Sequence, residues 1–191
     1  METSVEKKIK ILVKDYNTET QKKNYSEMLI EHNNFFTEIL KQMSSYTKSN
    51  EKTITIHQKY TSDFRYRCIT DEQGMQIYTK EKKKLIEFDE NTKSTISEEI
   101  VENIDDEEYN KIDAPSVYKI RKEFKVGSSN ILALDFYPIA GIIILEYEFE
   151  IDSHSEIIVP KLLKIPNFRL LYKEDSKRYS ARNILNIKYN E

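Results

Sequence analysis

The chain has 191 residues, and its 30 Lys and Arg against 33 Asp and Glu leave a net charge of -3; no global field marks a nucleic-acid binder, and any electrostatic site is local. Hydrophobic content of 38% excludes general disorder, three Gly exclude a long glycine-rich phosphate loop, and the single Cys68 excludes an internal disulfide and a cysteine zinc site. No apolar run reaches the roughly 20 residues that span a bilayer, and METSVEKKIKI holds no apolar core before a cleavage site, so a cytoplasmic protein of one domain, 1–191, is expected.

In chain order, residues 4–14 alternate with a period near two and predict a strand. Between 20 and 45, Tyr25, Met28, Leu29, Phe36, Ile39, Leu40 and Met43 recur at three- and four-residue intervals, the stripe of an amphipathic helix interrupted near Asn33-Asn34. Strands are predicted over 53–60, 63–70, 75–80 and 83–88, with Gly74 at a hairpin. The stretch 89–112 is acidic, with a short helix capped by Asp105. Strands at 117–126, 131–137 and 142–151 follow, with turns at Gly127-Ser128-Ser129 and 138–141, and a last helix begins near Ser180. The fold class is α+β, mainly β: about eight antiparallel strands in one small domain, which can close on themselves and so remove their exposed edges.

Several strands carry charged residues two apart: Glu6 and Lys8, Arg65 and Arg67, Lys119 and Arg121, and Glu146, Glu148 and Glu150. Residues two apart share a face. In LEYEFEI the apolar Leu145, Tyr147, Phe149 and Ile151 take the other face, so the glutamates meet either solvent or a wet tunnel. Cations on some strands and carboxylates on others suit a tunnel in which Arg and Lys neutralise an oligophosphate and Glu residues hold its metal. His32, His57 and His154 show no ligand spacing, and Cys68, facing away from Arg67, reads as a core thiol.

Over nearly its whole length the sequence resembles the CYTH superfamily of triphosphate tunnel enzymes. SVEKKI is similar to the family's ExExK strand, with Ser4 in place of the first glutamate and Glu6 and Lys8 in step. IHQKY with FRYR resembles the Q-x-Y and RxR segments, IYTK with Lys80 the T-x-K strand, and VYKIRKEFKV the K-x-R strand. ALDFYPIAGIIILEYEFE is similar to the D-x-F…G-L…E-x-E hairpin through Asp135, Gly141, Glu146 and Glu148, and KRYSAR to the C-terminal segment at Arg178-Tyr179-Ser180. TISEEIVENI sits where the family has another charged strand, but its register is open, and Glu99 and Glu102 are left out of the site.

The resemblance implies a single closed antiparallel β-tunnel with flanking helices and a metal-dependent triphosphatase acting on inorganic triphosphate, a nucleoside triphosphate or thiamine triphosphate. Lys8, Arg65, Arg67, Lys80, Lys119 and Arg121 would bind phosphate. Glu6, Glu146 and Glu148 would hold Mg²⁺ or Mn²⁺ and, with Lys8, form the catalytic group. The alternatives are an adenylate cyclase of the same fold and a tunnel that binds a nucleotide or polyphosphate without turning it over. RNA 5′-triphosphate processing is disfavoured by the near-neutral charge, no membrane partner is expected, and no oligomeric state is assigned. The missing acid at Ser4 predicts weak metal binding, offset by Glu2 only if the first strand starts earlier than residue 4.

Overall fold

Alternation along the first strand sets the plan. In β1 (Glu2–Asp15), Ile9, Ile11 and Val13 turn outward into the main core and are buried, while Glu6, Lys8 and Lys10 turn the other way. The structure, a computed structural model, describes residues 1–46, 50–127, 129–149 and 155–189. The later strands are β2 (Lys52–Tyr60), β3 (Arg65–Thr70), β4 (Gln76–Asp89), β5 (Ser94–Ile104), β6 (Ser116–Val126), β7 (Asn130–Tyr137), β8 (Ile142–Phe149) and the short β9 (Arg169–Leu171).

Their order is β5-β4-β3-β2-β6-β7-β8-β1, and β5 returns to β1, antiparallel, with Glu2 opposite Val101 and Lys8 opposite Thr95. Eight strands therefore close into an antiparallel barrel without a free edge along this seam. Beyond the seam, β9 pairs with β1 at Lys10–Leu12.

Two packing layers hold the barrel. Outside, α1 (Tyr25–Gln42) starts at a capping box in which Asn24 accepts from the Glu27 backbone N–H and Glu27 accepts from that of Asn24. Its stripe of Met28, Phe36 and Ile39, continued by Met43 at its C-terminal cap, joins Ile158 and Leu162 of α3 (Ser155–Leu162) over Leu132, Leu134, Phe136, Leu145 and Tyr147. At one end the inward faces change from charged to apolar: Lys10 gives way to Leu12, Lys119 to Val117, Glu146 to Ile144. There Tyr179, just past the end of the tail helix α4 (Glu174–Arg178), and Ile184 of α5 (Ala181–Ile184) complete a second core with Tyr137 and Ile142. Burial of these apolar rings stoppers that end of the barrel.

The β7–β8 hairpin depends on Gly141, which has φ +67, and a Cβ there would lie 2.8 Å from Cγ of Tyr189. Only glycine serves both demands. Near α2 (Asp106–Lys111), capped by Asp105 as expected, Cys68 packs with Tyr66 and Tyr109 outside the barrel.

Four expectations change. Helix α1 runs unbroken through Asn33-Asn34. The strands expected at 75–80 and 83–88 are one strand, β4, whose pairing with β5 shifts between Leu85 and Glu87; that irregularity reads in sequence as a break. The acidic stretch supplies a further barrel strand, β5; Ile96, Ile100 and Ile104 share one face at four-residue steps, which fit a helix as well as a strand, and Glu98 and Glu102 between them conceal the alternation. Helix α3 was not expected, since it carries Pro160 in its interior. Ser128, Glu150 and His154 lie outside the described residues. Among the described residues no helix is long and apolar enough to cross a membrane.

Candidate functional site

A charged strand face turned to solvent would be exposed. Here Asp135 is 0%, Lys119 2%, Glu81 4% and Glu146 6% exposed, so the charges lie inside the barrel. Buried ions persist only when paired and hydrogen-bonded, and the interior is organised into such pairs.

One cluster centres on Lys8. Its Nζ lies 3.0 Å from Glu6, 3.1 Å from Glu146 and 3.3 Å from Glu148, which arrive from β1 and β8 because Lys8 and Glu148 are register partners. Burial opposes ionisation of Glu6 and Glu146, but the neighbouring cations together outweigh it, Lys8 first with Lys83 beside Glu6 and Arg121 beside Glu146, and hold both well below the usual carboxylate range. Glu146 passes the network on to Arg121 at 3.1 Å. Arg121 in turn grips Asp135 with two bonds, Nε to Oδ1 at 2.7 Å and Nη2 to Oδ2 at 2.9 Å, and Lys119 donates to the same carboxylate at 2.8 Å.

A second cluster spans β3, β4 and β5. Arg65 donates to Glu81 at 2.6 Å and to Glu99 at 2.8 Å; Arg67 donates to Gln58 at 2.7 Å and stands 3.6 Å from Glu81. Burial would raise the Glu81 pKa, yet Arg67 and Arg65 hold it at about 2. Lys83, two residues beyond Glu81 on the same face of β4, donates to Glu6 of the first cluster at 2.9 Å.

Of the residues expected to line the interior, Glu6, Lys8, Arg65, Arg67, Lys119, Arg121, Glu146 and Glu148 are brought into these two networks. Lys80 is not. It shares the outer face of β4 with Tyr78 and Lys82, its Nζ 4.5 Å from the Phe64 ring centroid. Thr79 points inward, and strict alternation then gives Glu81 and Lys83 rather than Lys80. Glu81, Lys83, Lys10 and Glu99 were not selected in sequence, although stepping by two from Thr79 or from Lys8 finds the first three. Asp135 and Gln58 were visible as motif residues without an assigned role.

The interior opens into a cavity of about 340 Å³ bounded by Lys8, Lys10, Arg65, Arg67, Glu81, Lys83, Lys119 and Glu146. Its other wall mixes Tyr60, Phe64 and Phe88 with Ser176, Lys177, Ser180 and Arg182 of the tail. Arg182 fastens the tail to the β2–β3 loop, donating to the Thr61 carbonyl at 2.9 Å and covering the Tyr60 ring. Such a cavity can neutralise an oligoanion and orient it.

The chemistry of a divalent metal can be tested against the donors. Glu6, Glu146 and Glu148 offer the hard oxygens that Mg²⁺ and Mn²⁺ require, and they converge on one cation, but that cation is the Lys8 ammonium. Among the described residues no group of three or more His, Cys, Asp or Glu is arranged to hold a metal ion. The donor set fits the ion in kind, and its place is held by the Lys8 ammonium.

No protein-family model matches the sequence, and no curated protein does. Solved structures do match in shape. An adenylate cyclase candidate from Bacillus halodurans is 15% identical with a TM-score of 0.55, covering 94% of this chain and 99% of its own. The PH1819 protein of Pyrococcus horikoshii is 16% identical with a TM-score of 0.53, covering 88% and 94%. The inorganic triphosphatase NE1496 is 14% identical with a TM-score of 0.45, covering 97% and 100%.

Proposed function

We propose, from the premise that this chain has the fold of the CYTH superfamily, that it binds a small triphosphate inside the barrel and hydrolyses a terminal phosphoric anhydride with the help of Mg²⁺ or Mn²⁺. The observation that carries this reading is the burial, within one closed barrel, of cations from β1, β3, β4 and β6 around carboxylates from β1, β4, β5 and β8. Lys8, Lys119 and Arg121 bind and orient phosphate oxygens, with Arg65 and Arg67 on the facing wall, and the cost of desolvating the phosphates is met by cations already fixed in place. Glu6, Glu146 and Glu148 would hold the divalent ion, which when bound supplies charge neutralisation and a more acidic water. As a triphosphate draws Lys8 away from the three glutamates, they are left in need of a cation, so anion and metal bind together.

A second reading, a tunnel that binds without turnover, is favoured by one observation: the glutamates are already satisfied by Lys8 and lack a ready metal-holding arrangement. A phosphate-release screen over inorganic triphosphate, ATP, GTP and thiamine triphosphate, with each metal, separates the two. Hydrolysis of one substrate supports the enzyme, and tight binding without release supports the binder. Cyclic nucleotide among the products would replace both with a cyclase.

A further inference from the structure

Nearly every cation on the barrel's inward faces is already taken. Lys8 has three glutamates, Lys119 and Arg121 share Asp135, Arg65 and Arg67 share Glu81, and Lys83 has Glu6. Lys10 differs. It follows Lys8 on the same face of β1 and lines the cavity, yet among the described residues its side chain has neither a hydrogen bond nor a carboxylate oxygen within 4.0 Å. Glu146, its register partner on β8, is committed to Lys8 and Arg121.

The side chain is half-buried and has no ion pair of its own; burial outweighs the more distant charges of Glu146, Asp135 and Glu6 and lowers its affinity for the proton, at a cost to the charged form. A methionine or leucine at this place would pack without that cost, as Leu12 does one step further along the same face. An anion in the cavity would supply the direct partner that those three carboxylates, each paired to other cations, do not. By contrast, the anion seat between Arg65 and Arg67 is filled from within by the Glu81 carboxylate.

We propose that Lys10 is the cation held open for the ligand, so that a phosphate group docks first on Lys10, deep in the cavity that Lys119 also lines, and not on the arginine pair of β3. This assignment rests on the function proposed above and adds to it where the phosphate chain sits. The chain lies along the β1 and β6 walls, with its end toward the stoppered end of the barrel, and the β3 arginines serve chiefly to fix Glu81.

The test is calorimetric titration of a slowly hydrolysed imido analogue of tripolyphosphate into the wild type, Lys10→Met and Lys10→Arg, with Mg²⁺ and again with a chelator, alongside thermal melts of the empty proteins. Lys10→Met is expected to weaken binding at least about tenfold, the loss of one charge-assisted contact, and Lys10→Arg to keep it within about threefold. The empty Lys10→Met protein is expected to melt higher than the wild type, because a half-buried ammonium without an ion pair has gone. Unchanged affinity in Lys10→Met, with a wild type that binds, overturns the role of Lys10 and leaves the proposed function standing. A lower melting temperature of that variant also overturns it, since Lys10 would then be a structural ion. A wild type that takes no analogue under either condition overturns the proposed function and this role together.

Discussion

Ser4 on β1 stands directly across from Glu99 on β5, in the seam that closes the barrel, and Glu99 is held by Arg65 at 2.8 Å. The strand begins at Glu2, so Glu2 shares the Ser4 face, but it is exposed at the rim and paired in register with Val101. A glutamate at position 4 would set like charges side by side across two strands, which is unfavourable, and a divalent ion would relieve the repulsion. Ser4→Glu is therefore expected to lower the stability of the empty protein, to raise its Mn²⁺ affinity about tenfold, and to regain stability when Mn²⁺ is added. Calorimetry and melts with and without Mn²⁺ check this. Equal Mn²⁺ affinity in the two proteins would place the metal away from this end of β1.

Glu81 neutralises both arginines of β3 from a position 4% exposed, with Thr79 Oγ1 donating to it at 2.9 Å. In Glu81→Gln the shape stays while the internal anion is lost, so Arg65 and Arg67 become available to phosphate. Tripolyphosphate affinity should rise about tenfold, and the empty protein should lose about 1–3 kcal/mol for the broken charged hydrogen bonds. Urea titrations and calorimetry measure the two effects. A variant that binds no better would mean that Glu81 positions the arginines for the ligand and does not compete with it.

The same residue marks where sequence reading stops. A period of two identifies which side chains share a face, and on β1, β3, β6 and β8 that was enough to place Lys8, Arg65, Arg67, Lys119, Arg121, Glu146 and Glu148 inside. On β4 the run TKEKKK offers a charge at nearly every step, and choosing Lys80 instead of Glu81 moves the assignment by one residue, which flips the face. Pairing is less legible than facing. That Lys8 satisfies three glutamates while Lys10 satisfies none depends on the β1–β8 register and on side-chain reach, neither of which is local in sequence. The strand β5 was hidden for a related reason, since Glu98 and Glu102 stand between Ile96, Ile100 and Ile104 on its partly covered outer face and break the apolar alternation.

His32 supplies a pH dependence of stability outside the barrel. Its Nε2 donates to the Leu134 carbonyl at 2.9 Å, its ring lies 5.5 Å from that of Phe136, and among the described residues its buried Nδ1 has no partner. Burial pushes its pKa down to about 4, against roughly 6.5 in an unfolded chain. Above pH 6.5 both states are neutral here. As pH falls from 6.5 toward 4 the unfolded chain takes up a proton that the folded one refuses, so roughly 3 kcal/mol of stability is lost across that window and no more below it. Urea unfolding at a series of pH values, for the wild type and His32→Gln, isolates the contribution. An identical pH slope in both would assign the acid sensitivity to other groups.

Lys119 sets a proton linkage in the site itself. Its Nζ is buried, bonded to Asp135 at 2.8 Å and 5.6 Å from the Tyr137 ring centroid. Burial pushes its pKa down to about 7, with Asp135 opposing and Arg121 reinforcing the shift. At pH 8 the amine is mostly neutral in the empty protein. A phosphate entering the cavity favours the ammonium, so binding at pH 8 should take up a proton, and affinity should decline as pH rises above 7, by at most about tenfold per pH unit for one proton. Lys83, pushed down to about 8 chiefly by burial, adds a smaller uptake of the same sign. Titrating tripolyphosphate at pH 8 in two buffers of different ionisation enthalpy gives the number of protons bound, and comparison with Lys119→Met cancels the protons that belong to the ligand. The variant should take up fewer protons and show a flatter decline in affinity from pH 7 to 9. Equal uptake in the two proteins would show that Lys119 is charged before the ligand arrives, and that Asp135 outweighs burial at this position.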